Sequence, residues 1–271
     1  MNRVELFNDH FQNYKKYGIP KAQLIIADIP YNIGKNAYGS SPAWYEGGDN
    51  KNGESKLAGK TFFDTDERFK IPEYFHFCSR MMKKEPKEKG QAPAMIVFCS
   101  FEQQFELIQH AKENGFPNYI NLVFRKNFSP QVLKANMRIV GNAEYALVLY
   151  RDKLPKFNNN GKMVFNIMDY PRDNDTPKVH PTQKSVRLLE NLIQIFTDEN
   201  DVVIDPVAGS GTTLLAAKNM NRKAYGFEIK KNFVKESREK ILTYSQPYLF
   251  NAYEDKKEKY MQNEPELFAQ T

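Results

Sequence analysis

The chain has 271 residues, 41% of them hydrophobic, and a formal net charge of +6. That length suffices for one α/β core with a small appended region, and a moderate basic excess suits a polyanionic partner. Two cysteines, Cys78 and Cys99, exclude a disulfide framework and a four-cysteine metal site. No apolar window reaches membrane-span length, and the polar start Met1–Glu5 is unlike a secretory signal, so a soluble cytoplasmic protein is expected.

Residues 4–16 are expected to form an opening helix, broken by Gly18 and Pro20. Gln23–Ala27 is short, apolar and β-branched, as buried parallel strands are. From residue 34 to about 71 the composition changes to glycines, Trp44 and tyrosines, and the stretch reads as a long loop of the functional or disordered kind. Pro72 opens a helix to about Lys84, with Phe75, Cys78, Met81 and Met82 on its apolar face. Ala94–Cys99 reads as a strand, and 101–114 as an amphipathic helix with Phe105, Ile108 and Ala111 inward and Gly115 as its stop. Tyr119–Phe124 and Glu144–Tyr150 read as strands able to pair, joined by a basic irregular connection over 125–142. The polar stretch 151–179 holds Met163–Phe165 as its one candidate strand. Then follow a strong helix over 185–196 (Val186, Leu189, Ile193, Phe196), a strand at 202–205, a helix over 212–220, a strand at 224–229 and a helix over 233–242. The tail from 245 is polar and charged, of the kind that is poorly ordered. The alternation predicts a doubly wound α/β sheet, and there is no internal repeat.

Two stretches at strand ends stand out. Asp205-Pro206-Val207-Ala208-Gly209-Ser210-Gly211-Thr212-Thr213 ends one apolar run and leads into a helix. Glycine allows close backbone approach to a ligand, and the free N–H groups of a helix start suit an anion. Ser210, Thr212 and Thr213 add hydroxyls. Glu228, about 20 residues on, stands where an acid commonly binds ribose hydroxyls. A bare strand-to-helix turn is the bland alternative, but the strand, the turn and the acid together favour a ligand. A P-loop requires Lys before the last Ser or Thr, and the G-x-G-x-x-G spacing of dinucleotide sites is absent.

The other stretch, Asp28-Ile29-Pro30-Tyr31, ends the run Leu24–Ala27. A carboxylate beside a carbonyl makes two acceptors that can hold an amino group by both hydrogens. Tyr31 offers a flat face for an extruded base. Four residues alone do not displace the reading of an ordinary turn.

Together and in this order, the stretches resemble the S-adenosylmethionine-dependent amino-methyltransferases of DNA. That family carries an Asp-Pro-Pro-Tyr-type motif, matched here except for Ile29, and a Gly-x-Gly motif, matched by 205–211. His180-Pro181-Thr182-Gln183-Lys184 with Leu188-Leu189 is similar to the segment just before the glycine motif. Having the catalytic motif first resembles the permuted beta class. The resemblance covers 22–34 and 144–242 well and the middle loosely.

It implies a Rossmann-like, mostly parallel sheet with helices on both faces, in one catalytic domain spanning 1–244. Residues 34–71 would form an active-site and DNA loop, 151–179 a small target-recognition insertion, and 245–271 a tail. It implies S-adenosylmethionine as cofactor and no metal. Gly209, Ser210, Gly211 and Thr212 would surround the methionyl part, within a cofactor motif that includes Asp205, Pro206 and Thr213. Glu228 would take the ribose hydroxyls, and Thr182 and Lys184 would close the pocket. Asp28 and the carbonyl of Ile29 would hold the amino hydrogens, Pro30 would hold the turn, and Tyr31 would stack on the base. With Ile29 in place of proline the carbonyl survives, with some loss of rigidity.

The reaction so implied is direct methyl transfer to the amino group of a flipped adenine in double-stranded DNA. Aspartate at the first motif position resembles adenine enzymes, where serine is usual in cytosine ones. N(4)-cytosine methylation, methylation of RNA or a protein amide, and a non-catalytic DNA-binding homologue are the alternatives. Cys78 and Cys99 lie in apolar runs and read as core rather than as a nucleophile for ring-carbon methylation. His76, His110 and His180 have no metal-ligand spacing. DNA contacts are expected first from 151–179, with Arg151, Lys153, Lys156 and Lys162, and second from 125–138; Lys83–Lys89 mixes charges as a solvated face does. A homodimer, a cognate restriction nuclease and an orphan or phage-type setting stay open. Leu267-Phe268, with Glu264 in place of glutamine, is a weak match to a clamp-docking motif.

Overall fold

The computed structural model describes residues 3–31, 69–127, 131–134, 139–170, 172–180 and 182–244. In chain order they form β1 (Val4–Phe7), a 3₁₀ helix (Phe11–Tyr17), β2 (Leu24–Asp28), α1 (Ile71–Met81), β3 (Ala94–Cys99), α2 (Gln103–Glu113) and β4 (Asn118–Lys126). Next come β5 (Gln131–Lys134), β6 (Ile139–Gly141), β7 (Ala143–Tyr150), β8 (Ile167–Tyr170) and α3 (Val186–Phe196). The chain closes with β9 (Val202–Asp205), α4 (Thr212–Asn219), β10 (Lys223–Phe227), α5 (Lys231–Glu236) and a π-helical turn (Ser237–Ile241).

Eight strands make one sheet in the order β1-β10-β9-β2-β3-β7-β4-β8, and β5 pairs with β6 apart from it. Only β7 runs antiparallel in the large sheet, to both its neighbours; the remaining pairings are parallel. The central strands are continuous apolar runs because both faces are covered. Leu24 and Ile26 point to a layer that includes α3 and α4. Ile25 and Ala27 point to a layer of the 3₁₀ helix, α1 and α2. Each buried Leu or Ile is worth roughly 1.5–3 kcal/mol, so this two-sided pattern holds the strands in register.

Several expectations are corrected. The opening helix over 4–16 is replaced by β1, whose backbone pairs along β10 from Val4↔Ala224 to Phe7↔Phe227. The Asn8 amide then caps the Glu228 and Ile229 carbonyls. Helical turns start only at Phe11 and stop at Gly18, whose φ is +58°. Sheet pairing outweighs the local helical pattern here. α1 ends at Met81 rather than Lys84, because Ala22 N–H donates to the Met81 carbonyl and its own carbonyl accepts from Lys83 N–H. In α2 the inward stripe is Gln103, Gln104, Leu107 and Ala111, while Phe105 is 68% exposed and packs edge-on to Phe101. Arg125 and Lys126 extend β4. Met163–Phe165 is not a strand; β8 begins two residues later, parallel to β4.

The long stretch expected as a loop lies outside the described residues through 68, as does the tail from 245. Among the described residues no helix is long and apolar enough to cross a membrane.

The chain order places a switch point between β2 and β9. From β9 the connections run outward to β10; from β2 they run outward to β3. The two strands are adjacent and parallel, paired at Leu24↔Val203 and Ile25↔Ile204. Their carboxyl ends carry Asp28 and Asp205. In open α/β sheets the crevice at such a point is where ligands bind.

Candidate active site

The β2 side of the crevice is built by side chains from distant parts of the chain. Ile29 is buried, and its N–H donates to the Phe98 carbonyl at 3.3 Å. That bond carries the β2–β3 pairing one residue further, which a proline could not do; it offsets the rigidity expected to be lost. The Pro30 carbonyl accepts from Gln103 Nε2 at 2.7 Å, and Gln103 is itself fixed to Ser100.

Asp28 Oδ2 lies 2.7 Å from Lys184 Nζ. The same ammonium pairs with Glu144 Oε1 and lies 3.3 Å from the Tyr31 hydroxyl. Tyr31 donates to Glu144 Oε1 at 2.8 Å, and Lys126 Nζ stands 3.1 Å from Glu144 Oε2. Asp28 Oδ1 is buried and accepts no hydrogen bond.

Charge follows this geometry. Burial pushes the Asp28 carboxyl up, Lys184 opposes that, and Glu144 adds to it. Burial acts on Glu144 in the same direction, but Lys184 and Lys126 overcome it and hold Glu144 at about 2. Burial alone would lower Lys184, yet Asp28 and Glu144 keep it above its ordinary value. Burial beside the two carboxylates raises the Tyr31 phenol.

The β9 side is made of backbone. Gly209 has φ +50°, and a Cβ there would meet only the Val207 carbonyl, at 3.9 Å. Open space at a left-handed turn is what close approach of a ligand requires. Gly211 differs. It has φ +80°, and a Cβ would fall 2.1 Å from Ser237 Oγ, so its glycine serves the packing of the π turn against α4.

Glu228, at the end of β10, accepts from Gly209 N at 3.0 Å and from Lys230 N at 2.7 Å. Burial raises it, and those two N–H groups oppose the rise. Asp205 is buried and accepts from Val207 N at 3.0 Å. Burial pushes it up to about 7, against bonds from Thr213 and Val207 and with help from the charges of Asp28 and Glu228. Pro206, Ser210, Thr212 and Thr213 are also buried. Of the expected cofactor set, Gly209 and Glu228 face the crevice most directly, while Asp205, Thr213 and Gly211 brace the turn.

The segment 180–184 links the two sides. His180 packs edge-on to Phe233 of α5 at 4.7 Å, and Thr182 bonds to the His180 ring. Pro181 lies outside the described residues. Lys184, expected to close the cofactor pocket beside Thr182, instead has its ammonium on Asp28 and Glu144.

Glu144, Lys126 and Gln103 are site residues that sequence reasoning missed. Glu144 begins a strand otherwise read as apolar, and an acid in that run was the available signal; its side chain is 5% exposed. Cys78 and Cys99 are buried as expected, and burial lifts the Cys99 thiol to about 12.

The expected DNA cations of 151–156 are committed elsewhere. β7 runs antiparallel to β3, so Arg151 emerges at the sheet end opposite the crevice. It donates to the Lys83 and Ser79 carbonyls. Lys153 donates to the Pro86 carbonyl, and Lys156 is buried against Asp198. Arg125, at the crevice end of β4, pairs with Asp169 on the surface. Of the second-ranked region, the described residues Arg125 and Lys126 stand at this end of the sheet.

Comparison with known proteins agrees with this arrangement. A family model described as DNA methylase, N6_N4_Mtase, matches residues 22–239. The DNA adenine methyltransferase YhdJ of Escherichia coli (strain K12) is 27% identical over 251 residues, covering 85% of this chain and 79% of that one. The crystal structure of an M1.HpyAVI–SAM complex superposes with a TM-score of 0.61 at 23% identity, covering 87% of this chain and 98% of that one. PvuII DNA methyltransferase, titled cytosine-N4-specific, superposes at 0.66 with 15% identity, covering 97% and 94%. With a family model spanning both strand tips, this chain belongs to the N6/N4 DNA methylase family.

Proposed function

We propose that the protein transfers a methyl group from S-adenosylmethionine to the amino group of an adenine flipped out of double-stranded DNA. The observation that carries this reading is the adjacency of β2 and β9, which brings an amino-group acceptor and an open glycine turn to one crevice. Burial pushes Asp205 up, and the charges of Asp28 and Glu228 add to the rise. A sulfonium cation would relieve that repulsion. Gly209 and Glu228 are the residues that would hold the cofactor, Glu228 through ribose hydroxyls. Bound there, S-adenosylmethionine supplies a methyl group whose old bonding pair stays on sulfur.

The protein's own part is positioning and electrostatics. Asp28 Oδ1 and the Ile29 carbonyl accept the two amino hydrogens. That draws the nitrogen lone pair out of the ring and aims it at the methyl carbon. On transfer the nitrogen would shed one proton, which the Asp28 carboxylate is placed to take. Tyr31 supports the base.

Adenine is favoured by aspartate at the first motif position and by the relative YhdJ, a DNA adenine methyltransferase. The net charge of +6 suits a DNA partner.

The test is digestion of duplex DNA to nucleosides after incubation with cofactor. N(6)-methyldeoxyadenosine is the expected product. N(4)-methyldeoxycytidine alone would reverse the choice of base, and label confined to RNA or protein would overturn the choice of substrate.

A further inference from the structure

Lys184 and Glu144 have no part in the reaction as derived above, yet they hold its acceptor. Their side chains are 8% and 5% exposed, while Asp28 reaches the crevice. The cluster contains two anions, Asp28 and Glu144, and two cations, Lys184 and Lys126. Lys126 pairs with the far oxygen of Glu144, so among the described residues Lys184 is the cation on Asp28. It holds Oδ2, and that leaves Oδ1 buried and unpartnered. A buried acceptor without a partner is costly, so the carboxylate gains from any donor that reaches it.

We propose that Lys184, set by Glu144, is a positioning residue for the methyl transfer: it holds Asp28 by Oδ2 and keeps it an anion able to accept from the base amino group. The proposal rests on the amino-methyltransferase reading above and deepens it.

The ammonium is held on three sides, by Asp28, by Glu144 with the Tyr31 hydroxyl, and over the Phe98 ring at 5.1 Å from its centroid. The other titratable groups around Asp28 are Tyr31 after β2, Cys99 on β3, Glu144 on β7, Tyr170 on β8 and Asp205 on β9. All are neutral or acidic, so none can replace the lysine. Without Lys184, Asp28 sits beside Glu144 in a buried site and takes a proton. A protonated carboxyl can donate where an acceptor is required.

The test is the pH profile of kcat for DNA methylation, at saturating cofactor and DNA, in wild type, Lys184→Met and the double variant Lys184→Met with Glu144→Gln. Lys184→Met is expected to lose about 10²-fold at neutral pH and to recover about tenfold per pH unit as pH rises, its acid limb displaced upward. The double variant moves that limb back down, because the second carboxylate is gone. A lysine that merely holds the fold predicts a lower Tm and the same fractional loss at every pH; a folded Lys184→Met with the wild-type limb overturns the proposal. If Lys184→Met does not fold, Glu144→Gln alone decides. Its limb is expected to move to lower pH with cofactor KM unchanged, and an unmoved limb overturns the proposal. An inactive wild-type enzyme would count against the methyltransferase reading instead, so the two failures are distinct.

Discussion

The two sides of the crevice are built by opposite means. On the β9 side, nine consecutive residues and one acid about 20 positions later make the turn, and its working surface is backbone. On the β2 side, four consecutive residues supply only the acceptor. Lys184, Glu144, Lys126 and Gln103 come from four other places in the chain to orient it. A site of backbone tolerates changes in the rest of the molecule that leave the turn intact. A site of side chains depends on the whole sheet order, because β7 must lie beside β3, and β4 beside β7, for Glu144 and Lys126 to arrive.

That contrast can be broken by substitution. The largest effect is expected on the β2 side: Asp28→Ala should lower kcat about 10²–10³-fold with cofactor affinity unchanged, measured by steady-state methylation and by titration calorimetry. On the β9 side Gly211→Ala should act on stability first. Its Cβ meets Ser237 Oγ and its φ is positive, so unfolding free energy should fall by about 1–3 kcal/mol, read by denaturant titration. Ser237→Ala should cost nothing measurable in the same assay, because that hydroxyl has no partner to lose.

Next, Glu228→Ala should weaken cofactor binding about tenfold, the value of one hydrogen bond to a charged group, with kcat at saturation nearly unchanged. A further effect concerns pH. Asp205 titrates at about 7 when folded, against an ordinary 3.8. The folded state thus binds more protons between those values, and stability falls as pH rises through them. Asp205→Asn keeps the acceptor for Val207 without this loss. Its Tm advantage over wild type should therefore grow between pH 5 and 8 in the cofactor-free protein, as followed by thermal unfolding.

What the sequence could disclose follows the same division. Strands buried on both faces are apolar runs, so β2, β3 and β9 are legible within a residue or two, and the glycine turn is a contiguous string. β1 was hidden because its partner, β10, lies more than 200 residues away. Pairing of that kind leaves no local trace. Lys184 was legible as part of a motif but not in its placement, because nothing in His180–Lys184 says that the segment crosses the crevice. Glu144 was hidden as one polar residue at the start of an apolar strand. The cations at 151–156 misled because a basic run reads alike whether it faces a partner or ties down a turn.

The central claim is that the tips of β2 and β9 serve one transfer. It is tested most directly by a crystal structure with S-adenosylmethionine or an unreactive analogue and duplex DNA bound together. The account predicts an extruded adenine whose amino nitrogen lies about 3–3.5 Å from the position of the methyl carbon, its hydrogens on Asp28 Oδ1 and the Ile29 carbonyl, with Lys184 still on Oδ2. A base bound away from Asp28, or a cofactor seated elsewhere than beside Gly209 and Glu228, would contradict it.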